Sequence, residues 1–176
     1  MLEGLASYNS KTALQKGTMT SVVHAAAARD PLTRGELEPN TTIDQGLRID
    51  PTYSVPFIPP GTRFAIGFEC KGNPGLTRVG KGVYVNNELL LDDCLLLQVI
   101  EEDLFVDGYL SLMNCSALIK IGDGLTVKGD ANLAGCSKHV QLPSYGEVAG
   151  DLILPSGFDI SRISPAFKVG EVLIAS

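Results

Sequence analysis

Three cysteines and a histidine carry the most chemistry that this chain offers. Cys94, Cys115 and Cys136 are thiols, and His139 follows Cys136 in a Cys-x-x-His spacing that can chelate zinc. A fourth thiol, Cys70, makes the number even, so two disulfides are a second option. The spacing argues against both. Cys94, Cys115 and Cys136 are separated by 21 and 21 residues. A fixed separation means one place in a repeated unit, and stacked side chains of one column point in parallel rather than at each other. Such a column also lacks a complete set of metal ligands. The expectation is inward-facing structural thiols, free and in a reducing compartment, with no metal and no cofactor.

Other reactive patterns fare no better. No serine lies in a nucleophile-elbow pattern, and His24 and His139 leave little scope for a triad. Gly80-Lys81-Gly82 lacks the rest of a phosphate-binding loop. The acidic runs Asp92-Asp93 and Glu101-Glu102-Asp103 fall at expected turns without a calcium-loop motif and read as solvated edges. With no catalytic constellation, the sequence points away from an enzyme.

The 21-residue frame of the thiols reaches most of the chain. One column holds Ile43, Phe64, Val85, Val106, Val127, Val148 and Val169. A second holds Leu47, Phe68, Leu89, Leu110, Ala131, Leu152 and Leu173, and a third Ile49, Cys70, Leu91, Leu112, Leu133, Leu154 and Ala175. Two more run through Val55, Leu76, Leu97, Leu118, His139 and Ile160, and through Ile58, Val79, Ile100, Ile121, Leu142 and Ile163. Across all five columns only His139 is polar, in a chain that is 44% hydrophobic. The alternating Φ-x-Φ at the second and third columns predicts a strand with one face inward. The wider spacings after it suit corners and an irregular or 3₁₀-like return. Gly82 and Gly124 before the valine column, and Gly108, Gly129 and Gly150 after it, supply turn geometry. No insertion breaks this frame, so the expected fold is mainly β: a short right-handed solenoid of about 6.5 coils with an extended N-terminal arm.

Composition agrees with many short strands and a core of Val, Leu, Ile and Ala: 19 Gly, 10 Pro, no Trp and 6% aromatic residues. The net charge of −6, with no cluster of Lys or Arg, argues against nucleic acid and against an anionic membrane surface. No apolar run approaches the ~20 residues of a membrane span, and no standard secretion signal is read at the N-terminus.

The ladder segments carry a resemblance. Leu89-x-Leu91-x-x-Cys94, Leu110-x-Leu112-x-x-Cys115 and Ala131-x-Leu133-x-x-Cys136 resemble the Leu-x-Leu-x-x-Asn/Cys core of leucine-rich repeats, and Phe68-x-Cys70-x-x-Asn73 supplies the Asn. The resemblance implies a structural ladder of Thr52, Asn73, Cys94, Cys115 and Cys136 that satisfies backbone groups at a bend. The first apolar residue lies four before the strand rather than three, and Leu96, Ala117, Lys138 and Asp159 follow the ladder. The unit is thus leucine-rich-repeat-like rather than a standard horseshoe. Gly124-Leu-Thr-Val-Lys-Gly-Asp130 and Leu142-Pro-Ser144 resemble short repeats of bacterial and phage proteins.

Residues 1–40 lie outside the frame and read as an N-terminal arm or cap, with 41–176 as the solenoid. Val22–Arg29 suits a short helix or partial coil, and Pro31 and Pro39 suggest an extended segment. Residues flanking the inward positions must point outward, which puts Glu88, Leu90, Asp92, Tyr109, Ser111, Met113, Asp130, Asn132 and Ile153 on a mixed apolar and acidic face suited to a protein partner. Val172, Leu173 and Ile174 begin a further coil without a polar cap, marking an assembly end that stacks on a second subunit or a partner. These features favour a non-enzymatic structural or assembly protein, such as a phage virion accessory or decoration component assembled onto a larger particle. The alternative is a bacterial effector that binds a host protein through the outer strand face. The expected location is the virion or the cytoplasm.

Overall fold

Each central coil carries three two- or three-residue strands, and each strand pairs in parallel with its counterparts one repeat away. In the last two rungs the first two sides merge into the longer strands Gly146–Leu154 and Phe167–Ile174. Tyr84 pairs with Arg63 and Phe105 on the first side, Leu89 with Phe68 and Leu110 on the second, and Val99 with Arg78 and Lys120 on the third. The computed structural model describes residues 13–15, 18–20 and 22–176, with side chains from residue 23 onward. Its solenoid is a right-handed parallel β-solenoid of about six coils. Three sides were not expected. The return path holds two further strand columns rather than irregular chain. The apolar pair at Leu97 and Ile100 and the pair at Leu104 and Val106 each supply inward residues for a side of their own.

The core is the set of stacked columns. Ile43, Phe64, Val85, Val106, Val127 and Val148 are buried on the first side, and Phe68, Leu89, Leu110, Ala131 and Leu152 on the second. A further column lies two residues before the valines: Thr41, Thr62, Val83, Leu104 and Leu125 are all buried. Its two threonines are tolerated because each hydroxyl donates to a carbonyl three residues back, Thr41 to Glu38 and Thr62 to Pro59.

Two corner columns require left-handed backbone. Asn40, Gly61, Gly82, Asp103 and Gly124 have φ between 60° and 78°, and Gly72, Asp93, Asn114 and Gly135 repeat that geometry at the next corner. Only Gly, Asn and Asp occupy them, the residues for which this region costs least. The acidic runs owe Asp93 and Asp103 to this requirement. Gly108 and Gly129 serve a different purpose from the expected turn. A Cβ at Gly108 would lie 2.5 Å from the Asn87 carbonyl oxygen, so these glycines permit close approach of stacked backbones.

The N-terminal end is covered on its second side by a helix. Val22–Val23 pairs with Thr42–Ile43, and the helix Ala25–Arg34 follows, burying Ala25, Ala28 and Leu32 and lying against Leu47–Arg48. Pro31 sits inside this helix rather than in an extended segment. Burial of Ala28 and Leu32 on one face outweighs the hydrogen bond that proline removes. Gly35 ends the helix with φ 71°, and Leu37 is buried 21 residues before Ile58. Ala13–Gln15 and Thr18–Thr20 form a separate antiparallel pair.

The frame slips twice, contrary to the uninterrupted repeat expected. Leu97 and Leu118 donate to the carbonyls of Cys94 and Cys115, three residues back, whereas Val140 donates to Ser137. The corner after Cys136 thus holds one residue more, so Val140 fills the core position and His139 is exposed. Leu142 is back in frame. The bulged corner frees carbonyls, and the Arg162 guanidinium gathers those of Lys138, His139 and Val140 at 3.1–3.2 Å while lying over Phe158. Ile160, expected in the core, is exposed, and Phe158 is buried instead. The second slip is in the last rung: Val148 pairs with Val169, but Leu152 pairs with Val172 and Leu154 with Ile174, not with Leu173 and Ala175. An irregularity between Val148 and Asp151 absorbs the missing residue.

Leu112 is fully buried between two coils, so Leu112→Ala should cost about 2–5 kcal/mol in a urea or thermal melt. Arg162→Ala should cost about 1–3 kcal/mol, because three carbonyls lose a charged donor. Arg162→Lys should recover only part of it, since an ammonium cannot span the same three acceptors.

Candidate functional site

The cysteine column is built by the bend between the second and third sides. The Cys94 thiol donates to the Cys70 carbonyl at 3.1 Å, Cys115 to Leu91 at 3.1 Å, and Cys136 to Leu112 at 2.9 Å. Each thiol therefore closes a carbonyl of the preceding coil. Asn73 does more at the first bend. Its Oδ1 accepts from the Val55 and Gly75 N–H groups at 3.0 Å, and its Nδ2 donates to the Tyr53 carbonyl at 2.8 Å. Thr52 shares the sequence column but is exposed, and its hydroxyl donates to Asp50.

All four cysteines are buried free thiols. Burial pushes the Cys94 thiol up to about 11. Burial also holds Cys70 far above the usual thiol range, and its contact with Cys136, together with burial, does the same for Cys115. A thiol so held is a poor nucleophile and a poor ligand. His139 points away from the ladder, on the surface. Among the described residues no group of three or more His, Cys, Asp or Glu is placed to hold a metal ion.

The nine outer residues come together as three adjacent columns over the second side. Glu88, Tyr109 and Asp130 form one, Leu90, Ser111, Asn132 and Ile153 the next, and Asp92 and Met113 the third. Their availability differs. Ser111 is 2% exposed and donates to Asp92. Asp92 also accepts from the Met113 N–H at 3.1 Å and pairs with Lys71 at 3.0 Å. That hydrogen bond to Asp92 raises the Lys71 ammonium above its usual range. Asn132 accepts from the Ala134 N–H, and Asp130 from the Asp151 N–H. Ser111, Asp92 and Asp130 therefore fasten coil to coil, and Asn132 closes a turn within its own coil. Glu88 and Met113 are exposed, and Leu90, Tyr109 and Ile153 are half-buried. A shallow groove of about 260 Å³ opens beside Glu88 and Leu90, where Gly46 and Gly67 leave the corner unfilled.

Sequence reasoning passed over the first side. Arg63 lies over the Tyr84 ring at 4.3 Å, and Tyr84 stacks on Phe105 at 4.9 Å with planes 7° apart. The 21-residue spacing of Arg63, Tyr84 and Phe105 was the available signal. Their faces are used on one another, leaving the ring edges outward.

The assembly end is the strand Phe167–Ile174. Phe167 is buried, Val169 and Val172 pack against the core, and Leu173 and Ile174 are 38% and 46% exposed. The strand pairs with Gly146–Leu154 alone, so among the described residues its other edge has no strand beside it.

Fold and ladder together define a three-sided parallel β-solenoid with an internal thiol and amide ladder. No protein-family model, curated protein or solved structure matches the chain. No helix among the described residues is long and apolar enough to cross a membrane.

Two outcomes test the ladder. Asn73→Ala should cost about 2–4 kcal/mol, because buried N–H and C=O groups lose their partners. Cys94 favours the folded state while neutral. That contribution is complete below its ordinary value of 9.0 and is lost as pH rises through about 11. Unfolding free energy should fall across this window, by up to about 1.4 kcal/mol per pH unit from this thiol. Cys94→Ala should flatten the profile in urea titrations at stepped pH.

Proposed function

We propose that this chain is a non-enzymatic assembly protein, a solenoid scaffold that joins a larger structure through its C-terminal end. The contrast between its two ends carries the reading. One is covered by the helix Ala25–Arg34, and the other presents an eight-residue strand whose edge is open and whose Leu173 and Ile174 are exposed. An exposed edge of this length is a template for pairing with another chain. The finer reading is a virion accessory or decoration component. It is supported by the resemblance of Gly124–Asp130 and Leu142–Ser144 to short phage repeats, and by an outer surface whose polar groups fasten coils rather than converge on a pocket.

A second reading has its own observation. Leu90, Tyr109 and Met113 with the groove beside Glu88 form a half-exposed apolar strip on the second side, which suits a host-protein partner of an effector.

One experiment separates the two. In extracts of the native source the chain should sediment well above its own 18.7 kDa. Val172→Lys with Ile174→Lys should return it to the free species, while Tyr109→Ala with Met113→Ala should not. The reverse pattern supports the effector, and a wild-type chain that sediments alone ends the assembly reading.

A further inference from the structure

We infer that the open terminal strand pairs with the same strand of a second copy, antiparallel about a two-fold axis, to give a closed tail-to-tail dimer. The inference deepens the assembly reading and rests on it by naming the partner. Three observations carry it.

The first is the direction of the side chains. The strand Phe167–Ile174 bends at Gly170–Glu171, with the first side before the bend and the second side after it. Phe167, Val169, Val172 and Ile174 pair with or follow the inward column, whereas Lys168 and Leu173 pair with the outward residues Glu147 and Ile153. A two-fold axis in the end plane, along the bisector of that corner, lays each copy's first half over the other's second half. Phe167 then meets the partner's Ile174, Val169 the partner's Val172, and Lys168 the partner's Leu173. Every inward residue faces an inward residue, so the two cores run on into each other.

The second is charge. Glu171 lies directly beside Asp151 in the parallel pair, two carboxylates side by side, an arrangement that is unfavourable by itself. No ion pair among the described residues reaches Asp151, Glu171 or Lys168. In the two-fold pairing Lys168 stands diagonally across from the partner's Glu171, and the symmetry makes this contact twice. The copies are complementary at a place where a single copy is self-repelling.

The third is the opposite end. A head-to-tail contact would need the strand to dock its first half on Val22–Val23 and its second half on Leu47–Arg48, and the helix Ala25–Arg34 lies against the latter. The tail-to-tail contact is thus the one that both ends permit, and it closes after two copies instead of growing into a filament.

Purified chain in sedimentation equilibrium tests this, at concentrations up to the order of 100 µM, where even a micromolar contact forms. The expected result is one discrete species of twice the chain mass. Lys168→Glu and Glu171→Lys should each raise the dimer Kd by about tenfold, because each replaces two attractions with two repulsions. The double variant should restore it, since the swapped charges again meet opposite signs. Circular dichroism of each exposed-site variant checks that the solenoid is intact. A chain that stays monomeric, one that grows into polymers with concentration, or a double variant no better than the single ones overturns the two-fold pairing. A purified monomer that still enters a larger native species through Val172 and Ile174 leaves the broader assembly reading in place.

Discussion

Register between successive coils is the constraint from which the rest follows. Every strand of the solenoid hydrogen-bonds to its own counterpart one repeat away, as Leu89 N–H to the Tyr109 carbonyl and Leu110 N–H to the Asp130 carbonyl at 2.9 and 3.0 Å. A residue's neighbours along the axis are therefore its own equivalents. An inward position must be apolar, or a polar group satisfied by nearby backbone as at Thr41, Thr62 and Asn73. A left-handed corner is Gly, Asn or Asp, and a close approach such as Gly108 or Gly129 is Gly. A one-residue slip would turn each inward set outward. The chain permits such a slip only where something compensates, as Arg162 does for the carbonyls freed after Cys136.

The polar groups follow the same logic. Buried thiols, one buried amide and two buried threonines each close a backbone group of the wall, and Asp92, Asp130 and Asn132 do so from outside. This gives residue types that often mark chemistry a structural task in the wall. Their acceptors and donors are already committed to groups of the wall, and burial holds the Cys70 and Cys94 thiols protonated. The strip around Leu90 and Tyr109 and the terminal strand are among the surfaces left uncommitted.

Much of this was legible in the sequence, because stacking turns three-dimensional contact into a constant interval. The inward columns from Ile43 to Val148 and the meaning of the cysteines follow from that interval alone. What escaped did so for physical reasons. Thr41 and Thr62 disguised a core column, since a hydroxyl that bonds to a nearby carbonyl is as buriable as a methyl. The exchange of His139 for Val140 leaves no trace in the spacing, because the extra residue is removed again before Leu142. Pro31 reads locally as a helix breaker, and only burial of Ala28 and Leu32 on the end of the core reverses it. Among the outer residues, alternation gave the direction of Ser111 and Asp92 but not that each is spent on the other. The terminal strand was placed by its apolar residues, while its true pairing depends on an irregularity near Gly150 with no sequence signature.

The identity of neighbours along the axis also makes length an adjustable quantity. Each coil adds about 4.8 Å to the distance between the helix-covered end and the terminal strand. Duplicating or removing one 21-residue unit between Phe64 and Val127 would leave every column continuous and both ends unchanged. A chain built this way can be lengthened or shortened in fixed steps without redesign of either terminus, as a ruler whose graduations are its own rungs.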